Sequence, residues 1–465
     1  MSVWEKMTRK ANIHQYLKED VKFQKTLKAR DLMALGIGAV IGTGIFILPG
    51  TVAATTAGPG VILSFLVAAI ICATAAMCYA EFASSLPVAG SAYSYGNIIF
   101  GQFIGWVIGW ALILEYMLAV AAVSVGFSAY FSAFLKGFGL HLPQAISGAF
   151  DPSHGTYINV IAILVVWVIA WMLSKGMKSS MRINDFMVIV KIAIIILFVV
   201  VGFFYVKPSN WSPFLPFGSR GIVGGAATVF FAYLGFDAVS ASAPEVKDPQ
   251  RNLPVGIIGT LIIATILYMA VSTVLTGMVP FTKLNVADPV SFALQLVNLN
   301  GVAGIISVGA MAGMFTMMVT MIYSSSRLVY AIGRDGLLPK FLGNINANHL
   351  PNHSLITVTI IISLMGGFIN IGQLAELVNI GTLIAFSFVS IGIIPLRKRH
   401  DIENTDGFKV PLYPVLPVVS LILCLALMTQ LHVETWLASI AWFVVGLIIY
   451  LTYGMNHSNI KVDEK

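Results

Sequence analysis

The sequence predicts an all-α integral membrane protein with 12 transmembrane helices. Three observations predict it. Of 465 residues, 58% are hydrophobic and only 10% charged, with a mean hydropathy of +0.88. A soluble globular chain carries about 25% charged residues, so this one cannot cover its surface with polar groups in water. Apolar runs of roughly the 20 residues that cross a bilayer recur along the chain. Finally, Lys and Arg gather on one side of the topology that those runs define.

The first 30 residues are polar and basic, "MSVWEKMTRKANIHQYLKEDVKFQKTLKAR", and predict no cleavable signal. They either lie as an amphipathic segment on anionic lipid or form a solvated tail. The spans follow near 32–56, 60–85, 94–130, 157–174, 183–206, 221–243, 253–279, 302–331, 354–371, 375–396, 413–430 and 434–454. The third is long enough to tilt or to project beyond the bilayer. With the N-terminus in the cytoplasm, the basic residues before span 1 fall inside. So do Lys175, Lys178, Arg182, Lys247, Arg251, Arg327, Arg334, Lys340, Arg397, Lys398, Arg399, Lys409, Lys461 and Lys465. Only Lys136, Lys207, Arg220 and Lys283 fall outside, and Lys191 lies within a span. Both termini are therefore expected in the cytoplasm, and the net charge of +7 reflects topology rather than nucleic-acid binding.

Cys72, Cys78 and Cys424 lie inside apolar runs and read as small buried hydrophobes. His349 and His353 have helical spacing, but Pro351 between them argues against a helix and hence a metal pair. No nucleophile–base pair or metal constellation points to an enzyme.

Spans 1 and 6 carry breaks. "GIGAVIGTGIF" (36–46) places Gly42, Thr43 and Gly44 in mid-span, and "FFAYLGFDAVS" (230–240) does the same with Gly235 and Asp237. Glycine is unfavourable inside a helix. Unwound backbone at membrane depth survives only where it is buried in protein or lines a cavity. There, freed N–H groups at the start of a half-helix form a site for a carboxylate, and freed carbonyls can accept from an ammonium group. Either feature alone has a plainer reading: Gly38-x-x-x-Gly42 as helix packing, Asp237 as a cap on the second half of span 6. Together, five spans apart, they point to an inverted-repeat transporter with a site at the midplane.

Span 5 raises a separate question. In "MVIVKIAIII" (187–196) the only charged residue is Lys191. It follows Arg182 by nine residues, roughly 14 Å, which puts it near mid-bilayer. Its stem is too short to snorkel to either interface. An amine removed from water can exchange its proton near neutrality, and ionisable groups inside a membrane are functional by default. Lys191 is accordingly read as a proton-coupling residue, against the alternative of a permanently charged lysine satisfied by helix-end carbonyls or an acid. Glu115 in span 3 and Tyr268 in span 7 either join a polar network with Asp237 or are satisfied separately.

Five stretches resemble the amino acid–polyamine–organocation superfamily, and more closely bacterial members of its cationic amino acid transporter family. They are "GIGAVIGTGIFILPG" (36–50), "GPGVILSFLVAAI" (58–70), "YAEFASSLPVAGSAYSY" (79–95), "FFAYLGFDAVSASAPEVKDPQRNLPVGI" (230–257) and "YSSSRLVYAIGRDGLLPK" (323–340). The resemblance implies a LeuT-like fold: a 5+5 inverted repeat, with spans 1–5 in residues 31–206 and spans 6–10 in 221–396. Spans 11 and 12 would be peripheral within 397–465, and 1–30 would be a cytoplasmic segment. It implies that the amides of Thr43, Gly44 and Ile45 meet a substrate carboxylate, and that carbonyls around Ile41, Phe231, Ala232 and Leu234 meet its ammonium. Phe231 would be an aromatic lid and Met321 would face the substrate side chain. Lys191 would stand where sodium-driven relatives hold their ion, on the carbonyls of span 1.

The expected activity is proton-coupled symport of neutral, small to branched-chain L-amino acids in a bacterial plasma membrane. The family's name implies cationic substrates, but Met321 is long and apolar, and no acid is placed at the side-chain end of the pocket. Lys191 argues against sodium, since the two cations would repel. An exchanger, a cationic amino acid carrier of the same fold and a membrane amino acid sensor are the alternatives. The short loops and tails weigh against the sensor. The reading calls for no cofactor and no metal, only protons, an amino acid and lipid. Whether a small membrane partner docks is left open by the sequence.

Overall fold

The computed structural model describes residues 3–13, 25, 27–88, 90–175, 178–346, 351–399, 402 and 407–460. Parts of the basic N-terminal segment, and His349, lie outside them. Among the described residues the fold is all-helical, with isolated bridges and no strand.

The elements run α1 (Val3–Thr8), α2 (Ala29–Val40), α3 (Thr43–Phe46), α4 (Leu48–Val52), α5 (Val61–Ser85), α6 (Ser91–Ile99) and α7 (Gln102–Gly137). Then come α8 (Val160–Ser174), α9 (Lys178–Phe203), α10 (Gly218–Val229), α11 (Phe236–Ala241), α12 (Pro249–Met278) and α13 (Pro289–Leu296). The chain ends with α14 (Asn300–Arg334), α15 (Asn352–Phe368), α16 (Ile371–Arg397), α17 (Val415–Met428), α18 (Val433–Ile449) and α19 (Met455–His457). Seven stretches are long and apolar enough to cross a membrane, and α8, α15 and α17 are shorter apolar helices. This is an integral membrane protein.

The expected third span differs most. It begins at Gln102 rather than near 94, because α6 ends at Ile99 and Gly101, two residues later, takes φ +107°. That geometry separates a short helix from the long one. Of the most apolar stretch of α7, 94% is buried inside the protein, against 22% for the stretch containing α18, so α7 is central and α18 peripheral. Exposed isoleucines on the outside, Ile189, Ile262, Ile360 and Ile440, face what would be hydrocarbon rather than water.

Caps fix several ends. Asn159 accepts from the Ala162 N–H at 3.1 Å at the start of α8 and from the Ser128 hydroxyl at 2.6 Å, so the cap also ties α8 to α7. Asn370 accepts from the Gln373 N–H at 3.0 Å at the start of α16.

Candidate functional site

The helix that begins at Ala29 stops at Val40. Ile41 is extended (φ −83°, ψ 99°), Gly42 is non-helical (φ −132°, ψ −132°), and α3 restarts at Thr43. The first N–H groups of α3, those of Gly42, Thr43, Gly44 and Ile45, have no acceptor within the helix, and no side chain caps them. The second break follows the same logic. Phe230–Tyr233 tightens into a 3₁₀ turn, Leu234 is extended (φ −66°, ψ 145°), and Gly235 takes φ +107° before α11 begins. A side chain at Gly235 would be strained in that region.

The two breaks meet. A Cβ on Gly44 would lie 2.6 Å from both Cα and Cβ of Ala232. The Tyr268 hydroxyl of α12 sits between them, 2.5 Å from the Ala232 carbonyl and 3.1 Å from that of Val40. One proton can be shared between these acceptors but fully donated to only one. Tyr268 is thus satisfied at the junction of the breaks, apart from Glu115 and Asp237. Phe65 and Tyr233 hold its ring, with centroids 5.4 Å and 5.2 Å away. Tyr268→Phe keeps this packing and removes one hydrogen bond. It is expected to lower stability by about 0.5–1.5 kcal/mol, read as a lower melting temperature in detergent, and to weaken substrate binding because the breaks lose their shared anchor.

Lys191 is fully buried. Its Nζ donates to the Gly38 and Ile41 carbonyls at 2.9 Å each and reaches the Ile37 carbonyl at 3.5 Å. The Gly38 and Ile41 carbonyls are freed by the first break, whereas that of Ile37 also accepts the Ile41 N–H at 3.1 Å, so the break creates the two closest acceptors that the ammonium uses. The Gly313 backbone of α14 allows the lysine stem to approach: a Cβ there would lie 3.4 Å from Lys191 Cβ.

The remaining expected site residues are placed as follows. Ile41, Thr43, Gly44, Ile45, Phe231, Ala232 and Leu234 are all buried at the two breaks. Three of the carbonyls expected to meet the substrate ammonium are already engaged, Ile41 by Lys191, Ala232 by Tyr268 and Phe231 by the Leu234 N–H at 3.3 Å. Each keeps a second lone pair. The Thr43 hydroxyl is buried without a hydrogen-bond partner, beside Gly126 of α7. Met321 lies with its Cε 2.8 Å from where a Gly235 Cβ would be. A second methionine, Met317, packs directly on Gly42. It lies one turn from Met321 on α14, and the helical spacing of the two was the signal that would have found it.

Glu115 and Asp237 form a separate cluster. The Tyr116 hydroxyl donates to Asp237 Oδ2 at 2.5 Å. Glu115 is buried, close enough to Asp237 to interact electrostatically, and both its carboxyl oxygens lack a hydrogen-bond partner. The nearby Thr382 hydroxyl is given to the Val378 carbonyl at 3.1 Å. The Tyr79 hydroxyl, in the same cluster, is also buried without a partner.

On the opposite side of the site, the Tyr130 hydroxyl of α7 donates to the Phe46 carbonyl at 3.0 Å, and α13 seats Pro289 on Gly50. At the start of α13, Asp288 is half-buried. Desolvation pushes its carboxyl up to about 6, partly opposed by the Lys136 ammonium. Among the described residues no group of three His, Cys, Asp or Glu could hold a metal ion.

The model of the amino acid permease family matches residues 27–453, nearly the whole chain. The methylthioribose transporter of Bacillus subtilis (strain 168) is 51% identical over 93% of this chain and 94% of its own. The branched-chain amino acid permease BcaP of the same organism is 46% identical over 94% and 95%. The "Cationic amino acid transporter 4, vacuolar" of Arabidopsis thaliana is 37% identical over 80% of this chain and 63% of its own. All are transporters rather than enzymes. A family model matched almost end to end, on a chain whose two broken helices meet, places this protein in the amino acid permease family.

Proposed function

We propose that the protein is a proton-coupled symporter of neutral, small to branched-chain L-amino acids, working by alternating access in a bacterial plasma membrane with both termini in the cytoplasm. On this reading the helices form 12 spans. Residues 31–206 and 221–396 are inverted repeats, and 397–465 adds two peripheral helices. The observation that supports it most is Lys191: a fully buried amine, held by the carbonyls that the break in span 1 sets free. Charged, it ties α9 to α2. Neutral, it loses the charge-assisted part of those bonds, and the seam is released. Proton and substrate then bias one two-state element.

The substrate's carboxylate would meet the amides of Thr43, Gly44 and Ile45, with Phe231 as lid and Met321 as side-chain wall. The BcaP relatives, named for branched-chain amino acids, support neutral apolar substrates. Met321→Ser should open space beside Gly235 and admit longer side chains. Arginine is expected to compete at least about tenfold better than in the parent, a change of roughly 1.4 kcal/mol, read by competition against a labelled neutral amino acid.

The experiment that tests the function is uptake of a labelled amino acid panel into proteoliposomes with and without an inward proton gradient. Methylthioribose belongs in that panel, because a 51% identical relative is named for it and because the unpartnered Thr43 hydroxyl at the first break offers a sugar hydroxyl a hydrogen-bond partner. Gradient-driven accumulation of neutral amino acids supports the reading. Accumulation of methylthioribose alone, or of arginine and lysine above every neutral amino acid, overturns the substrate assignment.

A further inference from the structure

One face of α18 is fastened to α7. The Trp110 and Trp442 indoles stack with centroids 4.6 Å apart. Each donates to the other's backbone carbonyl, at 2.9 Å from Trp110 and 3.2 Å from Trp442. Trp106 donates to the Gly446 carbonyl at 3.1 Å. Towards α16 the packing is incomplete. A groove of about 250 Å³ opens there to the outside of the protein, walled by Ile380 and Ile384 of α16 and by Trp436, Ile440, Phe443 and Leu447 of α18.

One hydroxyl residue lines this apolar groove, Ser439. It is 2% exposed, and its hydroxyl has no hydrogen-bond partner. A serine or threonine inside a helix ordinarily gives its proton to the carbonyl one turn back, as Thr452 does just beyond α18, to Ile448 at 2.7 Å. Ser439 does not, and a buried donor left unmade is unfavourable. One turn nearer the start of α18, about 6 Å along the axis, the character changes. Glu376 of α16 accepts from the Thr435 hydroxyl at 2.7 Å and pairs with His432 at 2.6 Å. Each of its oxygens keeps a further acceptor site. Trp436 lies at the same level, as indoles do at the boundary of a bilayer, and its N–H is already given to the Met428 carbonyl at 3.2 Å.

We propose that the groove between α16 and α18 is a site for an aminophospholipid, with its ammonium on Glu376, one ester carbonyl on the Ser439 hydroxyl and that ester's acyl chain along the apolar walls. The three features occur in the order in which such a lipid presents its groups. The carboxylate at the mouth takes a cation. The unused donor one turn deeper takes an acceptor, and the ester carbonyls of a glycerolipid lie just below its headgroup. From Ser439 to Leu447 the groove-lining residues of α18 are apolar, over about 12 Å of helix, which matches the upper part of a chain. A second copy of this chain, or a separate apolar helix, would cover the walls. Its carbonyls would arrive already bonded within a helix, and Ser439 would stay unmet.

The test measures lipid affinity by thermal shift on the full-length protein in a non-ionic detergent. Three lipids are compared: dioleoyl phosphatidylethanolamine, its dialkyl ether analogue, which lacks the ester carbonyls, and dioleoyl phosphatidylglycerol, which lacks the ammonium. The parent is expected to bind the diester about three- to tenfold more tightly than the diether, as one neutral hydrogen bond provides. Ser439→Ala should bind those two within about twofold of each other. Without lipid it should melt like the parent, because the hydroxyl bonds nothing in the protein. The parent's preference for phosphatidylethanolamine over phosphatidylglycerol, at least about fivefold, should vanish in Glu376→Gln. Ile440→Trp fills the groove from an exposed position and should weaken all three lipids by at least about tenfold. Equal affinity of the parent for diester and diether, an ester preference that survives Ser439→Ala, or unchanged binding in Ile440→Trp overturns the proposal. So does a protein dimer, read by light scattering, that Ile440→Trp dissociates and phosphatidylethanolamine does not, since the groove would then hold a second copy. None of these readouts depends on which substrate is transported.

Discussion

Lys191→Ala is expected to abolish gradient-driven accumulation, leaving the internal substrate concentration no higher than the external one. The side chain makes its bonds to Gly38 and Ile41 at 2.9 Å from the buried interior of α9, and hydrogen bonds to a charged group contribute about 1.5–3 kcal/mol each. Removing it deletes the charged tie between α9 and α2 and leaves their carbonyls unpaired. The amides of Thr43, Gly44 and Ile45, proposed to hold the carboxylate, remain, so substrate binding should persist at reduced affinity and exchange across the membrane should outlast accumulation. Lys191→Arg separates charge from proton exchange: a guanidinium keeps the charge but does not lose its proton in a protein. It too should fail to accumulate substrate. The measurement is uptake under an imposed proton gradient, with binding measured on the same preparations. Accumulation by Lys191→Ala with the parent's pH dependence would mean that the coupling group lies elsewhere, with the Glu115–Asp237 cluster the first place to look.

Gly44→Val is expected to remove substrate binding. A Cβ at this position would already lie 2.6 Å from the Ala232 Cα and Cβ, a separation that real Cβ atoms essentially never show, and the neighbour is backbone that cannot rotate away. The valine must push the two breaks apart just where the amides of α3 face the proposed site. Overpacking of this kind is unfavourable by about 1–3 kcal/mol, on the order of a 10- to 100-fold loss of affinity from strain alone, before its methyl groups take the space of the carboxylate. Gly44→Ala should show the smaller part of the effect. Equilibrium binding of a labelled neutral amino acid decides it, with thermal stability measured in parallel. Parent-like affinity in Gly44→Val would take span 1 out of the site.

How much of this was legible beforehand follows from how far apart the partners lie in the chain. The breaks are local: Gly42, Thr43 and Gly44 in one apolar run and Leu234, Gly235 in another announce themselves, because glycine in mid-span has few purposes. The anomaly of Lys191 is also local, since one charge among aliphatic residues needs no structure to be noticed. The resemblance supplied roles for Phe231 and Met321 that spacing could not. The expected start of span 3 near 94 failed on a single residue: the conformation of Gly101 is invisible to hydropathy, because residues on both sides of it are apolar.

The amino acid sequence by itself determined that this chain lies in a membrane, that its helices break at two places and that one amine is stranded between them. These are consequences of composition and of residues next to one another, and the physics of a bilayer acts on them run by run. Only the tertiary structure decided what those features touch. Lys191 meets carbonyls 150 and 153 positions earlier, and Tyr268 rather than Asp237 joins the breaks, from 36 and 228 positions away. Met317 is beside Gly42, and Glu115 is left without a hydrogen-bond partner. Such contacts depend on the rotation of each helix about its axis. That rotation is set by how small residues such as Gly36, Gly44 and Gly256 let particular backbones approach, and an apolar run in lipid carries no comparable signal of which face turns inward.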